Sequence, residues 1–384
     1  MSFPTISVVM TVYNTSSYLT NSVESILNQT FEDFEFIIVD DCSTDDSWSI
    51  LSDYAKRDLR IILQRNQENL GPAQSSNKGL AIAKGEYIAR FDSDDVSLPT
   101  RLQEQLNYME RHPSVALITT AVDYINDNGD HIGKYIPPID PIMTRWHQIF
   151  GSPLRHPTAF WRRQLISDLI GQYNSDFRYA LDYEFFTRVC HSVTVHALSG
   201  SLVKMRQRSS SVTFSKRQLQ DSFAASITYQ QFDFYFQGSP LTQAEKCDLR
   251  ALLRRHSPLQ QKEFSQLCSG RFNKAVNNYV QLFENFCSIH HQEIDTKRIN
   301  LLHTELERHL PALIQHGLQN RWKKISFSLV LSYLKRYPNR MLSTLKTLFS
   351  YFGYYSLRSI KPLDQLLNNI RSIYYKNLRR KQFS

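Results

Sequence analysis

From residue 6 to residue 112 the chain alternates between two hydrophobic periods. Short apolar runs rich in β-branched residues, "ISVVMTVY" (6–13), "FEFIIVDD" (34–41), "IILQRN" (61–66) and "EYIARF" (86–91), predict four strands. Between them apolar residues recur at helical spacing. "SSYLTNSVESILNQ" (16–29) places Leu19, Val23, Ile26 and Leu27 on one face. "STDDSWSILSDYAKR" (43–57) opens like a capped helix, with Ser43 or Thr44 as N-cap and acids in its first turn. "GPAQSSNKGLAIAKG" (71–85) reads as a helix with Pro72 near its start and Gly85 at its end, and "PTRLQEQLNYMERH" (99–112) as another. Strand–helix alternation with short connections predicts a parallel, doubly wound sheet covered by helices. Ligands in such sheets bind beyond the carboxyl ends of the strands. That rule selects "TVYN", "DDCS" and "DSDD", remote in sequence and expected to converge.

Beyond residue 112 the pattern is mixed. "VALITTAVDYINDNGDHI" predicts a strand and a turn at Asn128-Gly129, "HPTAFWRR" (156–163) a short strand, and "ALDYEFFTRVC" (180–190) a helix. "VTVHAL" and "SLVKMRQ" close this part, and from about residue 214 the chain reads as almost entirely helical. The expected organisation is an α/β domain at 1–213, with halves 1–112 and 113–213, and a helical region at 214–384. The fold class is a doubly wound mixed sheet followed by this mostly α-helical C-terminal region.

Composition adds two points. The 384 residues include five scattered cysteines with no CxxC pair, which reads as free thiols in a reducing compartment. No apolar stretch is long enough to span a bilayer, and "MSFPTISVVMTVYN" runs into a strand without a basic leader, so a cytoplasmic protein is the expectation. The charge is lopsided. Residues 321–384 hold 14 Lys/Arg and one acid, Asp364, so the tail carries +13 within a chain total of +9. Residues 1–320 are therefore slightly acidic, and attraction to anions belongs to the tail.

Candidate chemistry sits at the strand ends. "ARFDSDDVSLP" (89–99) crowds three aspartates into four positions. A hard divalent cation, Mn²⁺ or Mg²⁺, would make the crowding tolerable, since both take one or two carboxylates plus phosphate and water oxygens. Asp92 and Asp94 alternate toward the same mouth, whereas Asp95 points differently and anchors the loop. The plainer reading is a solvated acidic loop. In "VDDCSTDDS" (39–47), residues 43–46 suit helix capping and Asp41 suits a ribose or base edge. Tyr13 offers a flat face to a base, or is a core tyrosine. Asp182 opens a helix, where a carboxylate is either a dipole partner or a general base.

Residues 5 to about 210 resemble the inverting GT-A glycosyltransferases of family 2. The matching segments, in order, are "ISVVMTVYN", "SILNQTFEDFEFIIVDDCSTDDS", "NLGPAQSSNKGLAIAKGEYIARFDSDDVSLPTRLQEQ", "HPTAFWRR" and "LDYEFFTRV". The resemblance implies a nucleoside diphosphate sugar as donor and a saccharide or lipid-linked saccharide as acceptor, in surface polysaccharide or glycolipid assembly. It implies Thr11, Tyr13, Asp41 and Asp92 at the nucleoside. Asp92 and Asp94 fall on the DxD motif at the metal ion, and Asp182 on the catalytic base. Two positions depart from the family. Leu181 stands where an acid usually precedes the base, and Arg208 in "MRQRS" stands where histidine is common.

The tail mixes Lys/Arg with Leu, Ile, Phe and Tyr, as in "LLNNIRSIYYKNLRRKQF". Such helices commonly lie on anionic membrane surfaces, which would put the protein on the inner face of the membrane; the plainer reading is a basic outer face on a helical bundle packed against the α/β domain, and no nucleic-acid motif is present. "HHQE" (290–293) reads as surface histidines rather than a metal site, and "QNRW" (319–322) is one residue short of the QxxRW of processive synthases. Two other functions compete. A catalytically inactive GT-A-fold scaffold would tolerate Leu181 and Arg208. A sugar-phosphate nucleotidyltransferase would want a Gly-rich basic loop after the first strand, which "TVYNTSS" lacks.

Overall fold

Strand β1 (Ile6–Val12) lies between β2 (Phe34–Asp40) and β4 (Tyr87–Asp92), parallel to both, and β3 (Ile61–Arg65) extends the sheet beyond β2. These are features of a computed structural model that describes residues 3–208, 216–253 and 269–319, with Tyr337, Arg340 and Thr344. β1 and β2 are apolar almost throughout because helices cover both faces of the sheet. Alternate residues therefore enter two cores. Val8, Met10, Phe36, Ile38, Ala89 and Phe91 pack with α1 (Ser16–Leu27) and α4 (Arg101–Arg111). Val9, Ile37, Val39 and Ile88 pack on the other side with α3 (Pro72–Ile82) and α7 (Leu181–Ser192). Each fully buried side chain of this kind contributes ~1.5–3 kcal/mol. Gly85 is required by packing, since a Cβ there would stand 2.5 Å from the Ser7 backbone nitrogen.

The sheet order is β3-β2-β1-β4-β8-β6-β9-β5, with β7 (His131–Tyr135) beside β6 (Leu117–Ile125). β8 (Phe160–Arg162) is antiparallel to β4 and β6, and β9 (Val195–Arg206) is parallel to β6. The two runs expected to end the mixed region are thus one long strand, kinked by register shifts opposite residues 120–122. "HPTAFWRR" is likewise divided: His156–Thr158 is a 3-10 turn and the strand begins at Phe160. A two-residue strand that the pattern did not predict, β5 (Val96–Ser97), pairs with β9 through Val96 and Lys204. This short pairing draws the end of the acidic loop against the end of the last strand.

Helix α2 (Ser47–Arg57) starts later than its sequence suggests. Asp46 is its cap residue without a side-chain cap bond, while Asp45 Oδ1 accepts from the N–H of Ser47, the first helical residue (3.0 Å). Helices α5 (Pro141–Gln148) and α6 (Arg163–Leu169) flank the second half of the sheet. Helix α8 (Arg217–Tyr235) places Ile227 against Ala180 and Tyr183. The chain divides into the units Met1–Phe234 and Tyr235–Ser384. In the second, α9 (Gln243–Leu253), α10 (Ser269–Ile289) and α11 (Thr296–Gln319) bury Leu249, Phe272, Phe283, Phe286 and Leu302. His290 is buried rather than on the surface, with Nε2 3.2 Å from the Tyr235 hydroxyl; His291 is exposed. Among the described residues no helix is long and apolar enough to cross a membrane. Apart from Tyr337, Arg340 and Thr344, the expected membrane-binding tail lies outside the described residues, as does all but Gln319 of "QNRW".

Candidate active site

The loops after β1, β2 and β4 are tied to one another at the carboxyl edge of the sheet. Asn14 adopts a left-handed conformation (φ 52°), which asparagine tolerates better than most residues. Its N–H donates to Ser43 Oγ (3.1 Å) and its Oδ1 accepts from the Thr44 N–H (2.8 Å). Thr15 Oγ1 donates to Ser93 Oγ (3.0 Å), joining the first loop to the third. Thr11 lies in register with both Val39 and Asp92 and accepts from Arg90 Nη2 (3.0 Å). Tyr13 is 48% exposed at the strand end, so it is not a core tyrosine.

Asp41 is buried and heavily engaged. Oδ1 accepts from Asn66 Nδ2 (2.8 Å) and the Leu70 N–H (2.9 Å), and Oδ2 from the Gly71 N–H (2.8 Å). Gly71 has φ +86°, a conformation that disfavours a side chain. Asp41 thus holds the 66–71 loop in place. Its neighbour Asp40 is fully buried, paired with Arg65 Nε at 3.2 Å.

The second acidic loop is organised differently. Asp92 is half-buried, and its Oδ1 lies 3.0 Å from Arg90 Nη2. Arg90, 2% exposed, also donates through Nη1 to the Val9 and Phe91 carbonyls. Asp94 Oδ2 lies 2.7 Å from Arg208 Nη2. Asp95 is buried and takes the Arg206 N–H (2.8 Å), so it anchors the loop as its side of the strand end suggests. Arg206 in turn donates from Nε to the Asp94 carbonyl (2.9 Å) and from Nη1 to the carbonyls of Asn126 and Asp127. Both guanidinium groups lie over the Tyr18 ring, Arg206 at 4.7 Å and Arg208 at 5.3 Å. Tyr18 and Arg206 also line a cleft of about 410 Å³ with Asn21, Glu24, Asp127 and Lys204.

Electrostatics mark the loop as strained by its own charge. Burial raises the Asp94 carboxyl above the usual range; Arg208 opposes the rise and Asp92 adds to it. Asp95 is pushed up further, by burial and then by the charges of Asp94 and Asp92. Beneath them Arg101 is fully buried, bonded to Gln105 and the Arg90 carbonyl, and burial lowers it to about 9.

Asp182 stands in the first turn of α7. Burial raises its carboxyl, the N–H groups at the start of the helix pull it down, and Asp92 raises it further. Asp92 and Asp182, ninety positions apart in sequence, are therefore within electrostatic reach. Glu184 is committed elsewhere, in a two-pronged pair with Arg188 (2.7 and 2.9 Å). Leu181, in the place of the expected acid, packs on the core beside α7.

Three residues of this neighbourhood were not legible as site residues. His156 Nε2 lies 2.8 Å from the Tyr173 hydroxyl. Burial, with Arg90 in support, lowers His156 to about 3, so the ring stays neutral. Tyr173 is raised by burial and feels Arg90, Asp182 and Asp92. Arg90 reads as a stray charge inside an apolar strand, and that misfit was its one available signal. His156 sits in the quoted "HPTAFWRR", which the period alone assigns to a strand.

Asp92 and Asp94 suit a hard divalent ion. Each holds one oxygen against a guanidinium: Asp92 Oδ1 on Arg90 and Asp94 Oδ2 on Arg208. Two mutually repelling carboxylates are the donor set that Mg²⁺ or Mn²⁺ shares with phosphates and water. Among the described residues no group of three or more His, Cys, Asp or Glu forms a closed metal cage.

A sheet of this order, with acids gathered beyond its parallel strands, defines a GT-A-type α/β domain. Residues 7–171 match the model of glycosyl transferase family 2, and this domain belongs to that family. An uncharacterized glycosyltransferase of Methanocaldococcus jannaschii is 37% identical over 191 residues, covering 49% of this chain and 65% of its own length. A Bacillus subtilis protein named for teichuronic acid biosynthesis, TuaG, is 39% identical over 133 residues, covering 35% of this chain and 52% of its own. The chain thus spans less than two thirds of the length of either relative. The S. aureus TarS 1–349 crystal structure aligns with a TM-score of 0.52 at 20% identity, covering 86% of this chain and 91% of that one. That likeness is one of fold.

Proposed function

We propose that the chain transfers a sugar from a nucleoside diphosphate sugar to a hydroxyl of a saccharide or lipid-linked acceptor, with inversion at the anomeric carbon. The observation that carries this reading is the pair of carboxylates, Asp92 and Asp94, set against arginines at the carboxyl end of β4, with the charge of Asp92 felt at Asp182. The M. jannaschii and B. subtilis relatives, both named as glycosyltransferases, support the class, and TuaG's name supports polysaccharide assembly as the setting.

In this reading Tyr13 and Thr11 face the nucleoside, and Asp41 acts by holding the 66–71 loop against it. Asp92 and Asp94 hold a divalent ion, which when bound stabilises charge on the departing nucleoside diphosphate. Arg90 fixes Asp92 from beneath. Asp182 accepts the proton of the acceptor hydroxyl as its oxygen attacks from the face opposite the leaving group. Its raised pKa matches that task, because a carboxyl that holds its proton more firmly is a stronger base. The neutral His156 and Tyr173 line the acceptor side without adding charge.

The test is donor hydrolysis and transfer with UDP-, GDP- and dTDP-sugars and Mn²⁺, in wild type, Asp94→Ala and Asp182→Asn. Nucleotide binding with no turnover in any arm would favour an inactive scaffold. The basic tail is proposed to hold the protein on an anionic membrane. Equal flotation on anionic liposomes by the full chain and a version ending at Asn320 would remove that idea.

A further inference from the structure

The two guanidinium groups at the acidic loop differ in how freely they can leave. Arg90 is buried in the sheet and bonded to the carbonyls of Val9 and Phe91 and to Thr11. Arg206 is buried and spends its donors on the backbone of residues 94, 126 and 127. Arg208 is largely buried as well, with its side chain 17% exposed, but among the described residues it makes no such backbone bonds. It follows the last strand, its ion-pair partner is Asp94 Oδ2 at 2.7 Å, and its buried Nε has no hydrogen-bond partner among the described residues. Tyr18 supports the guanidinium through its ring, 5.3 Å away, and this contact does not depend on Asp94.

Asp94 is one of the two carboxylates that the proposed function gives to a divalent ion, and this inference rests on that reading. A guanidinium on Asp94 and a divalent cation on the same carboxylate repel each other strongly in a partly buried site. A diphosphate removes the conflict. It brings negative charge for the ion and a planar, two-oxygen partner suited to arginine. We propose that Arg208 occupies Asp94 in the nucleotide-free protein and moves to the diphosphate when donor binds, so that divalent-ion binding is conditional on the nucleoside diphosphate. Arg208 is then a positioning residue that couples the two ligands, and by linkage each ligand strengthens the other by the same factor.

The experiment is Mn²⁺ binding by the full chain, read from the electron paramagnetic resonance of free Mn²⁺, alone and with saturating UDP, GDP or dTDP. Wild type, Arg208→Ala, Arg208→Lys and Asp94→Ala are compared, with melting curves as a check on folding. We expect Arg208→Ala to bind Mn²⁺ alone about tenfold more tightly than wild type, and to gain about tenfold less from nucleotide. Arg208→Lys should fall between them, and Asp94→Ala should bind weakly in every arm. A structural role would weaken both ligands together. Equal Mn²⁺ affinity for wild type and Arg208→Ala without nucleotide, with Asp94→Ala still defective, overturns the coupling and leaves the proposed function standing. No Mn²⁺ binding by wild type with any nucleotide overturns both.

Discussion

The acidic ends of β2 and β4 look alike in sequence and are used in opposite ways. "VDD" and "FDSDD" each follow an apolar run and each stand at the carboxyl edge of the sheet. After β2, three of the four carboxylate oxygens of Asp40 and Asp41 are engaged by the fold: Arg65 pairs with Asp40 Oδ2, and Asn66 with the N–H groups of Leu70 and Gly71 takes both oxygens of Asp41. After β4, Asp95 takes the Arg206 N–H in this way, while Asp92 and Asp94 each meet a guanidinium through one oxygen. What separates the two sites is the supply of donors. A carboxylate met by several fixed N–H groups is a structural tie; one met by a single guanidinium among like charges remains available for a cation.

The contrast can be broken most sharply by mutation. Asp94→Ala and Asp182→Asn should each lower transfer by ~10²–10⁴-fold while melting near wild type, as measured by nucleotide release from the active donor. Retained activity in Asp94→Ala would erase the difference between the two strand ends. Asp41→Ala should reverse the pattern, costing about 2–4 kcal/mol in urea unfolding because three buried donors lose their acceptor. Were Asp41→Ala as stable as wild type, its hydrogen bonds would not be the tie described.

Two smaller effects concern pH. The proposed function makes ionised Asp182 the base, and its pKa is raised, so kcat/KM should climb with pH and level off above the ordinary carboxylate range. Asp182→Asn should lose that limb along with its activity. His156 is held at about 3, below its unfolded value near 6.5. The unfolded chain therefore binds the extra proton first, and stability falls as pH drops from 6.5 toward 3. His156→Gln should flatten part of this slope in unfolding titrations at pH 7 and pH 4; an unchanged slope would count against the buried neutral ring.

Much of the architecture can be read from the amino-acid order. The four parallel strands and the helices between them follow the alternation of periods, and Asn128-Gly129 marks the hairpin that joins β6 to β7. The pattern starts helix α2 too early because Ser43 and Thr44 look like capping residues, whereas their groups brace the neighbouring loop at Asn14; Asp45 does both, taking the Ser47 N–H of the helix and the Ser16 N–H of that loop. The pairing of β5 with β9 had no signal, since two residues carry no period. Arg208 was visible only as a substitution in a familiar pattern, and its grip on Asp94 depends on that pairing.

Local order alone thus determined where the strands end and that acids stand there, because hydrophobic periodicity reports how each segment must be buried. Which of those acids bind the protein to itself, and which meet only a single guanidinium, was settled only on folding. The deciding partners come from far along the chain: Arg206 and Arg208 reach the β4 loop across more than a hundred residues, and Asp182 meets the field of Asp92 across ninety. A carboxylate's role depends on the donors and charges around it, and those are assembled only by tertiary contacts.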